Sequence, residues 1–225
     1  MTLFDEQKAE RRARILAAAR TIIAERGYDG LTMRGLAEAS RVSVPTLYNL
    51  FGGKLAILAG ELDESFAAVT AALGAVRTGS FAERALAGCE AATADLLHAP
   101  MYARALCDVF LTSPETEPLR RGFEQRYVEL IAAQLEDGRR AGDVAEWIDP
   151  EAVARREYAH YIQAMIQWAR GDYDDRQFRA VALYGLCLIL LGIASDGPRA
   201  QLERLAQELQ DEMAARDAAA KRLEA

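Results

Sequence analysis

Cysteine, proline and histidine are scarce in this 225-residue chain, and each scarcity disfavours particular kinds of structure or functional site. The three cysteines, Cys89, Cys107 and Cys187, are widely separated, so no C-x-x-C pair predicts a zinc site or a redox pair. We interpret them as buried, reduced thiols, which favours a reducing compartment. Only six prolines accompany many alanines and leucines, and this composition favours helix.

Sequence motifs typical of enzymes are also missing. The chain has no Gly-rich phosphate loop, no G-x-S-x-G nucleophile motif and no H-E-x-x-H zinc motif. Its two histidines offer little for acid–base catalysis, and Cys107 has no evident base partner. We therefore predict that the chain is not an enzyme and that it uses no cofactor.

No segment predicts export or a membrane span. The N-terminus mixes acidic and basic side chains without the apolar stretch of a signal peptide. The most apolar run, residues 180–194, is shorter than the ~20 residues that cross a bilayer. We interpret it as a buried helix and predict a cytoplasmic protein without membrane contact.

The charge of the chain is unevenly distributed. Its net charge is −7, and 51% of its residues are hydrophobic, which predicts a folded chain with a substantial core. Residues 1–56 carry nine Lys or Arg against six Asp or Glu (net +3), whereas residues 57–225 carry 18 against 28 (net −10). A basic N-terminal segment on an acidic body can bind DNA locally, while the body resists nonspecific contact.

Apolar residues recur at helical spacing along the chain, so we predict an all-α fold. A three-helix N-terminal head is predicted over about 6–26, 33–40 and 44–51, followed by a long helix over about 54–73. Further helices are predicted over about 81–97, 101–112, 116–141, 150–170, 174–194 and 199–223. Short breaks separate them at 78–80, 99–100, 113–114, 142–143, 171–172 and 196–198.

Residues 32–51 have the pattern of a helix-turn-helix, in which two short helices meet at a tight turn. Thr32 and Ser43 stand where an N-cap residue begins each helix, and Pro45 lies in the first turn of the second helix. The turn between the helices falls at Arg41. In such motifs the second helix enters the major groove of DNA with its N-terminal residues on the base edges.

The second helix has two distinct faces. Leu47, Leu50 and Phe51 form an inward stripe at i, i+3, i+4 spacing. The other face carries small or hydrogen-bonding groups that suit bases, thymine methyls and phosphates, and Lys54 begins the next helix, whose positive end also favours a phosphate. We predict the following DNA-contacting residues: Thr32, Arg34, Arg41, Ser43, Val44, Pro45, Thr46, Tyr48, Asn49 and Lys54.

The stretch LTMRGLAEASRVSVPTLYNLFGGKLAIL, residues 31–58, resembles the DNA-binding region of TetR-type repressors. The similarity covers about residues 10–58, and its most specific parts are Val42-Ser43, Thr46-Leu47-Tyr48, Phe51 and Lys54. The resemblance implies a long linking helix and a helical ligand-binding body. It also implies DNA contacts by Thr32, Arg34, Ser43, Pro45, Thr46, Tyr48 and Lys54.

The chain departs from this family at Arg41, where the family usually has Gly. If the turn is left-handed there, Arg costs roughly 1 kcal/mol relative to Gly. Either the turn is distorted, or Arg41 adds a phosphate contact. Beyond about residue 75, the chain resembles the family only in the number and order of its helices.

We divide the chain into a helix-turn-helix DNA-binding domain, 1–56, and a ligand-binding and dimerisation domain, 57–225. The predicted helix over 174–194 is nearly apolar all round, so it requires burial on every side. A second subunit is the simplest cover for one side, and we predict a homodimer through 150–170 and 174–194, as the resemblance also implies. The alternative is an ordinary core helix.

The middle helices carry aromatic, Met and Tyr side chains that would suit an unidentified apolar small molecule. The candidate lining residues, each of which could instead belong to plain core, are Phe66, Met101, Tyr102, Leu106, Phe110, Phe123, Tyr127, Tyr161, Met165 and Trp168. We expect such an effector to favour the DNA-free conformation and so to release DNA. The predicted function is a dimeric repressor of a palindromic operator on double-stranded DNA.

Two other functions stay open. Asp95 with His98, and Glu157 with His160, have the i, i+3 spacing that di-iron bundles use. No further pair of inward glutamates is evident, and the two arginines before Glu157 suggest an exposed or paired carboxylate. The other alternative is a helical adaptor that binds a protein and ignores duplex DNA at low salt.

Overall fold

The computed structural model describes residues 3–75 and 79–223, and these residues are helical almost throughout. The predicted all-α class is confirmed. Within the described ranges, extended backbone pairs only at an isolated bridge between Val144 and Ala194. The helices are α1 (Leu3–Gly30), α2 (Met33–Ser40), α3 (Val44–Phe51), α4 (Lys54–Ala75), α5 (Phe81–His98), α6 (Pro100–Thr112), α7 (Glu117–Ala141), α8 (Pro150–Arg170), α9 (Asp175–Ile193) and α10 (Asp196–Leu223), with a 3₁₀ helix at Pro114–Thr116.

Two helix ends differ from the sequence prediction. Helix α1 begins at Leu3 and extends to Gly30, but Gly27 interrupts its helical conformation at φ 67° and ψ 175°, next to the predicted end. Helix α10 begins at Asp196, so the predicted break over 196–198 is wrong. Pro198 can stand in a first helical turn because an N–H there needs no helical partner. Thr78, in the predicted break over 78–80, lies outside the described residues.

The chain forms two compact units. Unit 1 comprises Met1–Phe66 and Ala99–Arg120, and unit 2 comprises Ala67–His98 and Arg121–Ala225. In unit 1, α1 packs against α2 and α6, and α2 packs against α3. Their shared core contains the fully or almost fully buried side chains of Ile15, Leu16, Ala19, Ile23, Leu31, Leu36, Ala37, Leu47, Phe51 and Ile57.

Unit 2 is built around α9, which packs against α5, α8 and α10. Its inward side chains, including Leu183, Leu186, Cys187 and Leu190, belong to the core of this unit. Within the single chain, however, α9 is not buried on every side, since Leu188 is 49% exposed. Among the described residues, α9 is also the one helix long and apolar enough to cross a membrane by length and composition, with 44% of its apolar window buried.

All three cysteines are free thiols. Cys107 and Cys187 are buried, as the sequence predicts, whereas Cys89 is half-buried. Burial raises the pKa of each thiol, which keeps it protonated and unreactive at neutral pH.

Candidate functional site

The turn between α2 and α3 has a left-handed residue at Arg41, with φ 54° and ψ 46°. The Val42 N–H donates to the Ala37 carbonyl at 3.0 Å, and the Arg41 N–H donates to the Glu38 carbonyl at 3.3 Å. These two bonds form a Schellman motif, in which glycine is usual at the left-handed position. The turn therefore has regular geometry and carries the conformational cost of an arginine.

Both predicted N-caps are confirmed. The Thr32 side chain accepts the Gly35 N–H at 3.0 Å, which satisfies a free amide at the start of α2. The Ser43 hydroxyl accepts the Thr46 N–H at 3.2 Å at the start of α3 and shares a 2.7 Å hydrogen bond with the Thr46 hydroxyl. Helix α3 is thus fixed at its N-terminal end by its own sequence.

Helix α3 turns its apolar stripe inward as predicted. Leu47 is fully buried, Phe51 is 8% exposed and Leu50 is half-buried. On the other face, Pro45 and Asn49 are exposed and the Tyr48 side chain is 51% exposed. This face of a short, capped helix is free to contact another molecule.

The C-terminal end of α3 is held by a contact that the sequence did not reveal. Arg12 of α1 donates from Nη1 to the Leu50 carbonyl at 2.6 Å, and its guanidinium lies 4.3 Å from the centre of the Phe51 ring. A cation bound to the last carbonyls of a helix satisfies a free acceptor and interacts favourably with the negative end of the helix dipole. Arg12 therefore fixes the orientation of α3 against α1.

Most predicted DNA contacts lie in exposed positions. Arg34 is 88% exposed and forms only a weak, solvated pair with Glu38 at 3.6 Å. The exposed residues of the predicted set are Thr32, Arg34, Arg41, Ser43, Pro45, Tyr48 and Asn49, and the half-buried ones are Val44, Thr46 and Lys54. Val44 is partly used for packing, since it contacts the core of unit 1.

Lys54 is held by an aromatic ring. Its Nζ lies 3.8 Å from the centre of the Tyr28 ring, a cation–π contact at the start of α4. Partial burial lowers the pKa of Lys54, although the nearby carboxylates of Asp29 and Glu115 oppose this. The ring places the ammonium beside the N-terminal end of α4, where a phosphate would also be favoured.

A buried carboxylate joins three helices of unit 1. Glu61 of α4 is 3% exposed, and its Oε2 accepts hydrogen bonds from Arg20 Nε of α1 at 2.7 Å and from the Tyr102 hydroxyl of α6 at 2.5 Å. Arg20 also pairs with Glu64. Burial raises the pKa of Glu61, and the bonds from Arg20 and Tyr102 oppose that rise. This network ties α1, α4 and α6 together.

Unit 2 contains a cavity of about 30 Å³, bounded by α5, α7, α8 and α9. Its polar lining comes from Cys89, Tyr127, Glu157, His160 and Tyr161. A volume of this size holds a water molecule but not a drug-sized ligand. An effector with a larger body requires the surrounding side chains to move.

Glu157 is the charged group of this cavity. It is 6% exposed, and its Oε1 accepts the Tyr127 hydroxyl at 3.0 Å. Burial raises its pKa to about 7, although the hydrogen bond from Tyr127 opposes the rise. The expectation of an exposed or paired carboxylate, drawn from Arg155 and Arg156, is therefore wrong, because Glu157 points into the unit while both arginines are exposed.

His160 contacts the backbone of α9. Its Nε2 lies 3.2 Å from the carbonyl oxygens of both Val181 and Ala182. A carbonyl can only accept, so we assign the ring proton to Nε2. Gly185 leaves the space that the ring needs, since a Cβ at that position would lie 2.1 Å from the imidazole.

The predicted ligand-lining residues are not all brought together. Tyr127 and Tyr161 line the cavity, but these others do not: Phe66, Met101, Tyr102, Leu106, Phe110, Phe123, Met165 and Trp168. Met101 is 72% exposed. The fully buried Trp168 stacks on Phe178 at 5.0 Å and donates to Asp175 at 2.8 Å.

Glu157, His160 and Cys89 are cavity residues that the ligand prediction missed. A signal was present for Glu157, because it falls on the buried stripe of α8 between Ala154 and Ala164. The metal alternative gains no support from the described residues, which contain no group of three or more potential ligands. Asp95 and His98 of that alternative are exposed on α5.

A family model described as "Bacterial regulatory proteins, tetR family" matches residues 15–60, which include α2, α3 and the turn between them. The N-terminal part of the chain is therefore similar to the TetR family. The predicted resemblance to this family is thereby confirmed over the helix-turn-helix. The family comprises regulatory proteins, which agrees with the scarcity of catalytic motifs.

One curated relative is similar over the N-terminal part of the chain, and solved structures of low sequence identity share its fold. The transcriptional repressor KstR of Mycolicibacterium smegmatis is 39% identical over 69 residues, which are 31% of this chain and 34% of KstR. The chain thus matches about a third of that relative's length. A putative TetR-family regulator from Syntrophomonas wolfei has a TM-score of 0.72 at 19% identity, covering 82% of this chain and 96% of the other. FadR, a fatty acid degradation regulator of Bacillus halodurans, has a TM-score of 0.66 at 19% identity, covering 80% and 94%.

Proposed function

We propose that this chain is a TetR-family transcriptional repressor that binds a palindromic DNA operator as a homodimer and is released by a small molecule. The observation that carries the proposal is α3, a short helix capped by Ser43 and anchored by Arg12, which exposes Pro45, Tyr48 and Asn49. Such a helix fits the major groove, whose base edges accept small and hydrogen-bonding side chains.

The residues around α3 supply groups that suit the DNA backbone. Lys54 offers a charge at the start of α4, and the exposed Arg34 and Arg41 offer two more on α2 and its turn. Phosphate contacts fix the register and orientation of a protein on DNA without reading its sequence. In this proposal, the DNA contacts come from residues 1–56, the ligand and dimer contacts come from residues 57–225, and the protein acts in the cytoplasm.

The uncovered side of α9 supports the homodimer. Leu188 is 49% exposed on a helix whose other sides pack against α5, α8 and α10. A second copy of α8 and α9 would cover Leu188 by a two-fold, isologous interface. A two-fold dimer would present two α3 helices to half-sites about 34–36 Å apart, or a multiple of that distance.

The name of KstR supports the choice of repressor, although its match covers only a third of its length. Occupation of an operator is sufficient for repression.

DNA binding is tested on the region upstream of the chain's own gene. We expect Lys54→Ala to weaken binding about tenfold and to lower the slope of log affinity against log salt by about 1, because one phosphate contact is lost. Tyr48→Ala should also weaken binding. Arg204→Ala, which removes one positive charge from the exposed face of α10 in unit 2, is the matched control and should bind like the wild type.

Unchanged affinity in both Lys54→Ala and Tyr48→Ala would contradict the assignment of α3 to the groove. A footprint on the same DNA then tests the dimer, since two protected half-sites should appear one helical turn, or a whole number of turns, apart. A protein that ignores duplex DNA even at low salt would instead support the adaptor alternative.

A further inference from the structure

We propose that the small molecule bound by unit 2 carries a protonated amine on an apolar body, and that this amine binds the carboxylate of Glu157. The inference deepens the proposed function and rests on it in taking the cavity as an effector site. It replaces a purely apolar effector by one of defined headgroup chemistry.

Glu157 is buried without a cationic partner among the described residues. The side chain is 94% removed from solvent, yet no Lys, Arg or His forms an ion pair with it among the residues that the structure describes. Tyr127 donates one hydrogen bond to Oε1. A buried carboxylate is costly unless it is paired and hydrogen-bonded, so a cation that enters the cavity would relieve this cost.

The polar groups beside Glu157 in the cavity offer more hydrogen-bond acceptors than donors. The Tyr127 hydroxyl has its proton committed to Glu157, which leaves its oxygen as an acceptor. The Nε2–H of His160 is committed to carbonyls of α9, so Nδ1 is also an acceptor in this tautomer of the ring. An ammonium group has three N–H donors and no acceptor, which complements a lining of this kind.

The lining of the cavity disfavours an anionic headgroup. The residues that line the cavity include no Lys and no Arg. A carboxylate or phosphate headgroup would therefore meet the like charge of Glu157 without a compensating cation. A neutral hydroxyl could donate one hydrogen bond, but it would not neutralise the buried charge. The lining thus ranks an amine above an alcohol and an alcohol above an acid.

The size of the cavity agrees with a small headgroup. Its volume of about 30 Å³ is that of a single water molecule, and an ammonium group is of similar size. Ala85, Gly88 and Ala92 line it from one face of α5, so the wall beside Glu157 has short side chains. The apolar body of the ligand would lie along this wall once neighbouring side chains move.

Binding of an amine should depend on pH. Burial raises the pKa of Glu157 to about 7, and an ammonium binds the ionised form, so affinity should fall as the pH falls below about 7. The titratable and charged groups around it are Cys89 and Glu90 of α5, Tyr127 of α7, Tyr158, His160 and Tyr161 of α8, and Arg179 and Cys187 of α9. Of these, Arg179 is already paired with Glu90.

Three matched probes test the headgroup on the full chain: octylamine, 1-octanol and octanoate. Isothermal titration calorimetry at about pH 8 should show octylamine binding at least about tenfold more tightly than octanol, since its hydrogen bonds are charge-assisted. Octanoate should bind most weakly. Glu157→Gln should bring the affinities for octylamine and octanol within about twofold of each other.

Glu208→Gln is the matched control, because it removes the same charge from an exposed position on α10. It should keep the preference for octylamine. That result would distinguish binding in the cavity from nonspecific attraction of a cation to an acidic protein. Equal or tighter binding of octanol or octanoate, no binding of any probe, or a preference that survives Glu157→Gln would each overturn the inference.

A parallel gel shift on operator DNA separates this inference from the proposed function. If octylamine binds through Glu157 but does not release DNA, the ligand class stands and the release mechanism fails. If the chain binds no DNA, the repressor proposal fails while the calorimetry still decides the ligand class.

Discussion

Among the residues that the structure describes, each unit buries one glutamate, and these two glutamates have different surroundings. In unit 1, Oε2 of Glu61 accepts hydrogen bonds from Arg20 and Tyr102, while its buried Oε1 has no hydrogen-bond partner among the described residues. In unit 2, Glu157 has a single hydroxyl donor, Tyr127, and no basic partner in the described part of the chain. The same residue type therefore meets two different electrostatic environments.

The difference indicates two roles. A carboxylate that receives a guanidinium and a hydroxyl from two other helices fixes the positions of those helices. A carboxylate left without a cation beside a cavity does little to fix the fold, and it raises the free energy of the ionised folded state. We interpret Glu61 as structural and Glu157 as a binding group, and three substitutions test this comparison.

The largest effect is expected from Glu157→Gln. The folded-state pKa of about 7 lies above the ordinary value of 4.5, so the stabilising contribution of protonated Glu157 is full below about pH 4.5 and is lost as the pH rises through 7. At about pH 8 the ionised group costs about 3 kcal/mol. The variant should be more stable than the wild type by about this amount at pH 8, as measured by urea unfolding.

The difference between the two unfolding free energies isolates Glu157 from other titrating groups. It should be small at about pH 5 and grow towards pH 8. Glu208→Gln, on the exposed face of α10, should show no such growth. A constant difference across this range would mean that Glu157 is not protonated on folding, and the contrast with Glu61 would then disappear.

The next largest effect is expected from Arg20→Met in unit 1. This variant keeps an apolar stem but leaves Glu61 with only Tyr102 as a donor, so a buried charge loses its cation. Because Arg20 is 42% exposed, water screens part of the interaction, and we expect a loss of about 2 kcal/mol rather than the larger cost of a fully buried pair. Urea unfolding at about pH 7 measures it.

The double variant Arg20→Met/Glu61→Gln provides the control. It removes the charge together with its partner, so it should recover about half of the lost stability. A double variant as unstable as Arg20→Met would show that the loss comes from packing of the arginine stem. In that case Glu61 would not differ from Glu157 in the way that we describe.

The helix-turn-helix could be predicted from the sequence because its determinants are local. Thr32 and Ser43 cap helices that begin one residue later, and Leu47 and Phe51 lie one turn apart on one face. At Arg41 the sequence raises a left-handed conformation only as a condition, and the structure shows that conformation in a regular turn. The order of the other helices also follows from apolar spacing, whereas the start of α10 at Asp196 does not.

The polar networks could not be predicted, because their partners are distant in sequence. Arg20 and Tyr102 each lie 41 residues from Glu61, and no local pattern joins them. For Glu157, the neighbouring arginines predicted an exposed position, whereas its place on the apolar stripe of α8 predicted a buried one. Helical spacing was the better guide, because it decides which face a side chain occupies.

The smallest effect on stability is expected from Arg41→Gly. This variant relieves backbone strain in unit 1 and leaves both buried glutamates unchanged, so it compares the units by backbone conformation instead of charge. Glycine adopts φ 54° without steric cost, so unit 1 should gain about 1 kcal/mol in urea unfolding. The pH dependence contributed by Glu157 should be unchanged, because it arises in unit 2.

If the exposed guanidinium also contacts a phosphate, the same variant should bind operator DNA more weakly and with a salt slope lower by about 1. Arg41→Lys separates the two effects, since it keeps both the charge and the strained backbone. A glycine variant that is less stable than the wild type would show that the Arg41 side chain stabilises the turn by a contact stronger than the strain it introduces.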